Sequence, residues 1–378
     1  MRTTEHAAVV VGGSLSGLMA ALGLARYGIG VTVLERSGPQ PRTGAALGGA
    51  EGNLHRLFGA DGLAGPEATA AALDGPRPHL QSWAQAHGLL RRAAEADPHI
   101  ELVHGARVVE VGQDATSAWA RTADGVLHHG DLVVGADGHR SVARRHVAPE
   151  HPDAAFAGYV IWLGIAEESE MDFRGPWPGM DIFDAGSDCL LGYPLAESAP
   201  PGQRRLGWAW FDPRRNDLLR AKGCVDGEVV QHSLRPEDMP TDLVADLDAE
   251  AEQWPEAWRE AVRACLRRRG VTGTPVAEYV PDRLARGRIA LVGDAAHVST
   301  PMTGRGFGVA LTDAEVLADE VAKAFTEARG DAVPAALRTY ERRSLGRARE
   351  AVESGRASPL VRRVIPWRPR SPVTRRRR

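Results

Sequence analysis

The N-terminal stretch from Ala7 to Arg36, AAVVVGGSLSGLMAALGLARYGIGVTVLER, most strongly restricts the fold that this chain can adopt. It contains an apolar run typical of a buried strand, a glycine turn, a helix-like segment and a second apolar run that ends in an acid. This order predicts a β-α-β unit that binds a dinucleotide. The helix N-terminus would hold the phosphates, because its backbone N–H groups lack partners and its dipole favours anions.

The glycine fingerprint of this unit reads G-x-S-x-x-G. Gly12 permits the tight turn and Gly17 lets the helix pack against the strand, whereas Ser14 stands where the backbone must approach a pyrophosphate. Serine is small, so we expect this close approach to be preserved. Glu35 is placed to accept hydrogen bonds from ribose hydroxyls, which favours FAD or NAD over a cofactor with a 2′-phosphate. The alternative is an ordinary β-α turn without a ligand.

Length and composition are those of a globular protein of two domains. The chain has 378 residues, of which 25% are charged and 43% hydrophobic, and its net charge of −3 argues against nucleic acid as a partner. The cysteines Cys189, Cys224 and Cys265 form no C-x-x-C pair, so neither a disulfide framework nor a metal site is indicated. We find no signal peptide and no apolar run of membrane-spanning length, and we expect a cytoplasmic protein.

A second stretch, from Asp131 to Val147, repeats the design of strand, tight turn and helix. Its four apolar residues between turn signals are typical of a strand buried on both faces. Asp137 and Gly138 follow at the carboxyl end of that strand, which is where ligands bind in an open α/β sheet. An Asp-Gly pair is often only a turn, but this position favours a functional role.

A third stretch, from Arg288 to Phe325, has the same organisation. A buried strand ends in Gly293 and Asp294, and a short loop leads to the sequence Gly-Arg-Gly at 304–306, which opens a long helix. The first backbone N–H groups of that helix have no partners within it, and its dipole favours anions at this end.

The segment between about Pro152 and Pro281 differs in its residue pattern from the rest of the chain. Strand-like runs alternate with Gly, Pro and Asp, and tryptophans concentrate between Trp162 and Trp258. This predicts a second domain with a mostly antiparallel sheet that forms one wall of a cavity. Helices are predicted at Trp83 to Ala96, at Leu243 to Gln253, at Glu256 to Arg269, from 334 to about 353, and, within a glycine-rich loop region, near 53–58.

Together and in this order, the three stretches resemble the single-component FAD-dependent aromatic hydroxylases, the family typified by para-hydroxybenzoate hydroxylase. VVVGGSLSGL is similar to the family's glycine fingerprint, LVVGADGHRSVAR to its Asp-Gly motif and RIALVGDAAHVSTPMTGRGFG to its Gly-Asp motif. The resemblance covers most of Ala7 to Arg343. The serine in the fingerprint and the runs GYVIWLG and RLGWAWFD look most like the 2,6-dihydroxypyridine hydroxylase-like enzymes.

The resemblance implies an α/β fold in which a Rossmann-like FAD-binding domain with a parallel sheet is discontinuous. It would comprise residues 1–151 and 281–355, with a mostly antiparallel substrate domain inserted at 152–280 and a basic tail at 356–378. Where the family usually has glutamine this chain has Arg305, but the backbone would make the contact. The residues implied to hold FAD are Gly12, Gly13, Ser14, Leu15, Ser16, Gly17, Glu35, Arg36, Asp137, Gly138, Gly293, Asp294, Gly304, Arg305 and Gly306.

The reaction implied by the resemblance is hydroxylation of an aromatic or heteroaromatic small molecule by dioxygen, through a flavin C4a-hydroperoxide. NADPH or NADH would be a transient electron donor at a shared site, since no second G-x-G-x-x-G follows another strand. Implied catalytic candidates are Pro301 above the flavin, Tyr193 to orient the substrate and His297 as a base. The implied pocket residues are Trp162, Cys189, Tyr193 and Trp208. Ordinary sheet core is the alternative for the aromatic residues, and a histidine that holds its loop is the alternative for His297.

Rival functions remain open at this point. On the same fold, an epoxidase, an N-oxygenase or a two-electron flavin dehydrogenase would use the same cofactor, and a flavin-binding protein without turnover is a further alternative. A flavin halogenase is disfavoured because no W-x-W-x-I-P stretch is present. The sequence does not decide the substrate, NADPH against NADH, the role of the basic tail or the oligomeric state, for which a homodimer is one option.

Overall fold

The computed structural model describes residues 6–38, 46–47, 81–195, 202–326, 332–358 and 361–362. The described parts of Met1–Ala155 and Ala277–Ser354 form one compact unit, and those of Phe156–Val276 and Gly355–Arg378 form a second. The helix predicted near 53–58 and the basic tail from 363 onward lie outside the described residues. Among the described residues, no helix combines the length and the apolar character that crossing a membrane would need.

The first unit is built on a six-stranded sheet that is parallel except at one edge. Its central strands, such as IAL and LVVG, are buried, as expected for parallel strands covered on both faces. Val11 lies opposite both Leu34 and Gly135, so the carboxyl ends of neighbouring strands lie at the same edge of the sheet. The strand order is β17 (Ala285–Arg286), β18 (Ile289–Leu291), β9 (Leu132–Gly135), β1 (Ala7–Val11), β2 (Gly30–Glu35) and β5 (Ile100–His104).

Helices cover this sheet, and two small antiparallel sheets complete the unit. A Cβ atom at Gly23 in the helix Leu15–Ala25 would lie 3.2 Å from the Cβ atom of Ala318 in the helix Gly306–Thr326, so small residues let these two helices approach closely. The helices are α1 (Leu15–Ala25), α2 (Trp83–Ala96), α3 (Val142–Val147), α7 (Gly306–Thr326) and α8 (Ala332–Ala357). The small sheets contain β3 (Ala46–Leu47) with β4 (Gln81–Ser82), and β6 (Val108–Gln113), β7 (Ala118–Thr122) and β8 (Leu127–Gly130).

The second unit contains a seven-stranded sheet whose long strands pair antiparallel, as predicted. The helices of this unit are α4 (Asn216–Ala221), α5 (Thr241–Glu250) and α6 (Glu256–Arg267). The strands follow the order β11 (Asp181–Asp184), β12 (Cys189–Leu195), β13 (Arg205–Asp212), β10 (Ala155–Glu167), β15 (Val229–Val230) and β14 (Val225–Asp226), and β16 (Thr272–Glu278) also pairs with β10.

One face of this second sheet, here called the helix-covered face, packs against α6. Trp208 lies opposite Gly164 on β10 and opposite Gly192 on β12, so these three residues share that face. The ring of Trp258 from α6 lies over Gly192. Glycine is required there because the aromatic ring occupies the space that a side chain would take.

We predict that Gly192→Ala destabilises the second unit. A Cβ atom at this position would lie 2.5 Å from the ring of Trp258, so the tryptophan must shift. The free energy of unfolding should fall by about 1–3 kcal/mol, measured by denaturant titration. Gly179→Ala is the matched control, because no atom lies within 4 Å of its added methyl group. An equal loss of stability in both variants would contradict the packing interpretation.

Candidate functional site

The turns that follow β1, β9 and β18 meet at the carboxyl edge of the parallel sheet. Gly12 has a φ of 105°, and a Cβ atom there would lie 2.5 Å from the carbonyl oxygen of Ala136, beside the Asp-Gly turn. Gly293 has a φ of 57°, and a Cβ atom there would collide with the side chain of Ser16. Both glycines therefore permit close approach, and the three motifs form one site although they are far apart in sequence.

The N-terminus of α1 is available to an anion. Ser14 at its N-cap position makes no side-chain capping hydrogen bond, and the first turn contains no acid. The first N–H groups of a helix lack partners within the helix, so those following Ser14 point out of its end. A Cβ atom at Gly17 would collide with the carbonyl oxygen of Gly12, so this glycine lets the glycine turn pack on the helix. These donors have the geometry that a phosphate group needs.

Glu35, at the end of β2, stabilises the glycine turn. Its buried carboxylate accepts hydrogen bonds from the backbone N–H of Gly13 and from that of Ser37, both at 2.8 Å. The predicted contact of Glu35 with a ribose hydroxyl stays a prediction, as does a cofactor contact of the exposed Arg36.

Asp137 holds the Asp-Gly turn against α3. Its carboxylate accepts hydrogen bonds from the Ser141 hydroxyl at 2.5 Å and from the Val142 N–H at 2.6 Å, at the start of that helix. Desolvation raises the pKa of Asp137, although these hydrogen bonds oppose the shift. Gly138 has a φ of 79°, which favours glycine in the turn. The side chain of Asp137 thus has a structural role, and its contact with FAD stays a prediction.

Asp294 presents its carboxylate at the end of β18. It lies in a 3₁₀ turn, Gly293–Ala295, and its side chain is exposed and makes no hydrogen bond to any described residue. The protein around it nevertheless raises its pKa by desolvation, while His297, His139 and Arg144 lower it. An exposed carboxylate in such crowded surroundings lies in a crevice. It can accept hydrogen bonds from the hydroxyl groups of a ligand.

Arg144 connects two of the motif turns and is not among the site residues predicted from the sequence. Its side chain is fully buried, and its guanidinium lies 4.3 Å from the ring centroid of Tyr279. Burial lowers the pKa of Arg144, but an arginine stays charged in proteins. The sequence signal for this role was the position of Arg144 within the Asp-Gly motif, in the short helix α3 that also contains apolar residues. It donates hydrogen bonds to the backbone carbonyls of His139, Pro152, Asp294 and Ala295.

The segment 301–306 leads into the N-terminus of α7. Pro301 is exposed and begins the 3₁₀ turn Pro301–Thr303, which is capped by Gly304 with a φ of 62°. α7 then begins at Gly306 without an acid in its first turn. Arg305 donates a hydrogen bond to the Ser354 hydroxyl at 3.2 Å, so its side chain is held by α8 while its backbone opens the helix.

His297 is buried and does not have the exposure expected of a base that meets substrate. Its side chain is 2% exposed, and its Nε2 lies 2.6 Å from the Asp313 carboxylate on α7. This geometry supports the alternative in which the histidine holds its loop.

The four residues predicted to line a pocket are divided between the two faces of the second sheet. Trp162 and Trp208 lie on the helix-covered face, where the Trp162 indole N–H donates to the buried Asp212 carboxylate at 3.2 Å. Cys189 lies opposite Phe211 and Tyr193 opposite Gly207, on the other face. A single pocket wall made of all four residues is therefore excluded, because neighbouring positions along a strand point to opposite sides.

The face that carries Cys189 and Tyr193 is here called the open face. Leu191 and Leu163 lie on it and are only half-buried, although Tyr193 and Cys189 are themselves 2% and 3% exposed; the helix-covered face packs against α6. Burial raises the pKa of the Cys189 thiol to about 11, so this residue contributes as a neutral, apolar group.

Comparison with known proteins gives relatives over most of the chain. Residues 229–355 match the family described as FAD binding domain. The chain is 28% identical to 2,6-dihydroxypyridine 3-monooxygenase of Paenarthrobacter nicotinovorans, over 85% of this chain and 84% of that protein. It is also 28% identical to the FAD-dependent urate hydroxylase of Klebsiella oxytoca, over 92% of this chain and 88% of that protein.

Solved structures show the same fold. The structure of 2,6-dihydroxypyridine-3-hydroxylase from Arthrobacter nicotinovorans superimposes with a TM-score of 0.74 at 23% identity, covering 98% of this chain and 96% of that chain. The predicted α/β fold, with its parallel sheet and separate antiparallel sheet, is confirmed. The comparisons also confirm that this chain resembles the single-component FAD-dependent aromatic hydroxylases.

Proposed function

We propose that this protein is a FAD-dependent monooxygenase that uses NAD(P)H and dioxygen to hydroxylate an aromatic or heteroaromatic small molecule. The convergence of the three motif turns at one sheet edge carries this proposal. Two similar proteins are named for the oxygenation of dihydroxypyridine and the hydroxylation of urate, which supports the reaction class. We assign residues 1–151 and 281–355 to FAD binding and residues 152–280 to substrate binding.

The described residues fit FAD. The N–H groups at the start of α1 would bind the pyrophosphate, Glu35 would bind a ribose hydroxyl, and Asp294 would bind the ribityl chain. The N-terminus of α7, opened by residues 304–306, would stabilise negative charge on the flavin ring through its N–H groups and dipole. When bound, FAD supplies electron transfer from NAD(P)H and activation of dioxygen.

The open face of the second sheet would form the substrate wall. Its described central positions, including Leu191, Ala209 and Phe211, are apolar, which helps to keep water from the reacting groups. Tyr193 adds a hydroxyl that would orient a hydroxyl group of the substrate. The thiols of Cys189, Cys224 and Cys265 are free, in keeping with a reducing compartment, and we propose that the protein is cytoplasmic.

The reaction is tested by turnover under isotopically labelled oxygen. Purified protein loaded with FAD is mixed with NADPH or NADH and a panel of phenols and hydroxylated heteroarenes under ¹⁸O₂, and products are analysed by mass spectrometry. We expect substrate-dependent oxidation of the nicotinamide and one ¹⁸O atom in the product. Product without ¹⁸O would indicate a dehydrogenase, and FAD binding without any substrate-dependent oxidation would indicate a binding protein.

Arg144→Met should impair FAD binding. The substitution removes the hydrogen-bond donors of four backbone carbonyls in and beside the motif turns. Each carbonyl left buried and unsatisfied should lower the free energy of unfolding by about 1–3 kcal/mol. We expect the purified variant to be markedly less stable and to retain little FAD, measured as the ratio of flavin absorbance to protein. Arg145→Met is the control. Arg145 is the residue after Arg144, but it is exposed and forms an ion pair with Asp153 at the surface. Equal FAD retention in both variants would contradict this role.

Tyr193→Phe and Trp162→Phe should separate the two faces of the second sheet. Loss of the Tyr193 hydroxyl should lower kcat/KM for the substrate by about tenfold, because one orienting hydrogen bond is lost. Trp162→Phe leaves the buried Asp212 without its indole donor, so it should lower stability while kcat/KM stays near the wild-type value. The checks are steady-state kinetics and thermal unfolding. A fall in kcat/KM that is larger for Trp162→Phe would contradict the assignment.

A further inference from the structure

A chain of three charged side chains, of which His297 and Asp313 are buried, extends from the Asp294 turn into α7 and α8. His297 lies on the turn, Asp313 on α7 and Arg347 on α8. His297 Nε2 lies 2.6 Å from one Asp313 carboxylate oxygen, and an Arg347 guanidinium nitrogen lies 3.6 Å from the other. The Asp313 side chain is 0% exposed. Carboxylates this deeply buried are normally paired, so Asp313 depends on both partners.

The bond between His297 and Asp313 restricts the turn that carries Asp294. The His297 backbone N–H donates to the carbonyl of Gly293 at 2.8 Å, which closes the turn around Asp294. The imidazole of the same residue is fixed to α7 through Asp313. Gly293 in turn packs on Ser16 of α1. Moving the turn that carries Asp294 away from α7 would therefore require breaking a buried charge-assisted hydrogen bond.

α8 holds the strand that precedes this turn. Tyr340, Ser344 and Arg347 follow one another at spacings of four and three residues, so they share one face of the helix. The Tyr340 hydroxyl donates to the carbonyl of Leu291 at 2.7 Å, and Arg347 donates to the Ser344 hydroxyl at 3.1 Å. This polar stripe thus contacts the end of β18 directly and reaches the turn through Asp313.

The charges around His297 favour its imidazolium form. Burial lowers the pKa of His297, but the charge and hydrogen bond of Asp313 and the charge of Asp294 raise it, and the net shift is upward although Arg347 opposes it. Arg347 and Tyr340 also interact with Asp313 from α8. The imidazolium lowers the pKa of Asp294 in return, which favours its ionised carboxylate.

We propose that Asp313 is a positioning residue for FAD, because through His297 it fixes the turn that presents Asp294 to the cofactor. The inference rests on the proposed function and adds a residue that touches neither FAD nor substrate. It predicts that the pair contributes to cofactor affinity and not only to folding.

The test is a titration of the apoprotein with FAD, in which quenching of flavin fluorescence reports binding. It is carried out for wild type, Asp313→Asn and Glu320→Gln. We expect Asp313→Asn to weaken FAD binding by about tenfold, the size of effect typical for network residues without ligand contact. Glu320→Gln is the matched control, because Glu320 also joins α7 to α8, through Arg343 at 2.6 Å, but lies away from the Asp294 turn. Its FAD affinity should stay within about twofold of wild type.

A pH profile of FAD affinity distinguishes positioning from a merely structural role. A histidine whose pKa is raised in the folded protein contributes its full stabilisation below its unfolded pKa of about 6.5. This stabilisation is lost as the pH rises through the folded pKa. Wild-type affinity should therefore fall as the pH rises from about 6.5 through the raised pKa of His297. In Asp313→Asn the fall should occur at lower pH, because His297 loses the neighbour that raises its pKa.

Each outcome decides the proposal. Wild-type affinity and an unchanged pH profile in Asp313→Asn would overturn it, and so would an equal loss in Glu320→Gln. If Asp313→Asn is insoluble, His297→Gln should bind FAD more weakly than wild type and lose the fall in affinity with rising pH. Wild-type affinity together with the wild-type pH profile in His297→Gln would overturn the proposal. If the wild-type protein itself does not bind FAD, the proposed function fails together with this inference.

Discussion

Close backbone approach at Gly12 and Gly293 is the constraint on which the rest of the site depends. A side chain at Gly12 would collide with the carbonyl of Ala136, and one at Gly293 would collide with Ser16. The parallel sheet places the carboxyl ends of its strands at one edge, and these two contacts draw the turns beyond them together. Without glycine at both positions the turns would separate, and the groups that could hold a cofactor would lose their common site.

Polar side chains around these turns are used mainly to hold backbone. Glu35 binds the glycine turn, Asp137 accepts a hydrogen bond from the first N–H group of α3, and Arg144 supplies donors to buried carbonyls. Because these side chains satisfy the protein's own groups, the exposed carboxylate of Asp294 and the N–H groups at the start of α1 are left for a ligand. A site fixed in this way loses little entropy when it binds, which is the physical meaning of preorganisation.

The sequence predicted the fold well because local signals determine most of it. Glycine turns after apolar runs marked the strands of the main sheet, and α2 occupies the predicted Trp83–Ala96. Side-chain direction in the second sheet was less predictable: Trp208 and Tyr193 both read as apolar strand residues, but only the pairing register shows that they lie on opposite faces. The bond between His297 and Asp313 joins a turn to a helix, a contact that a single sequence does not reveal.

The most direct measurement is a crystal structure of the protein grown with FAD. We expect electron density for the pyrophosphate at the N-terminus of α1, for the ribityl chain beside Asp294, and for the flavin ring near the start of α7. Density for FAD at another place on the chain would contradict this binding site. An empty edge of the parallel sheet in protein that has retained FAD would contradict it as well.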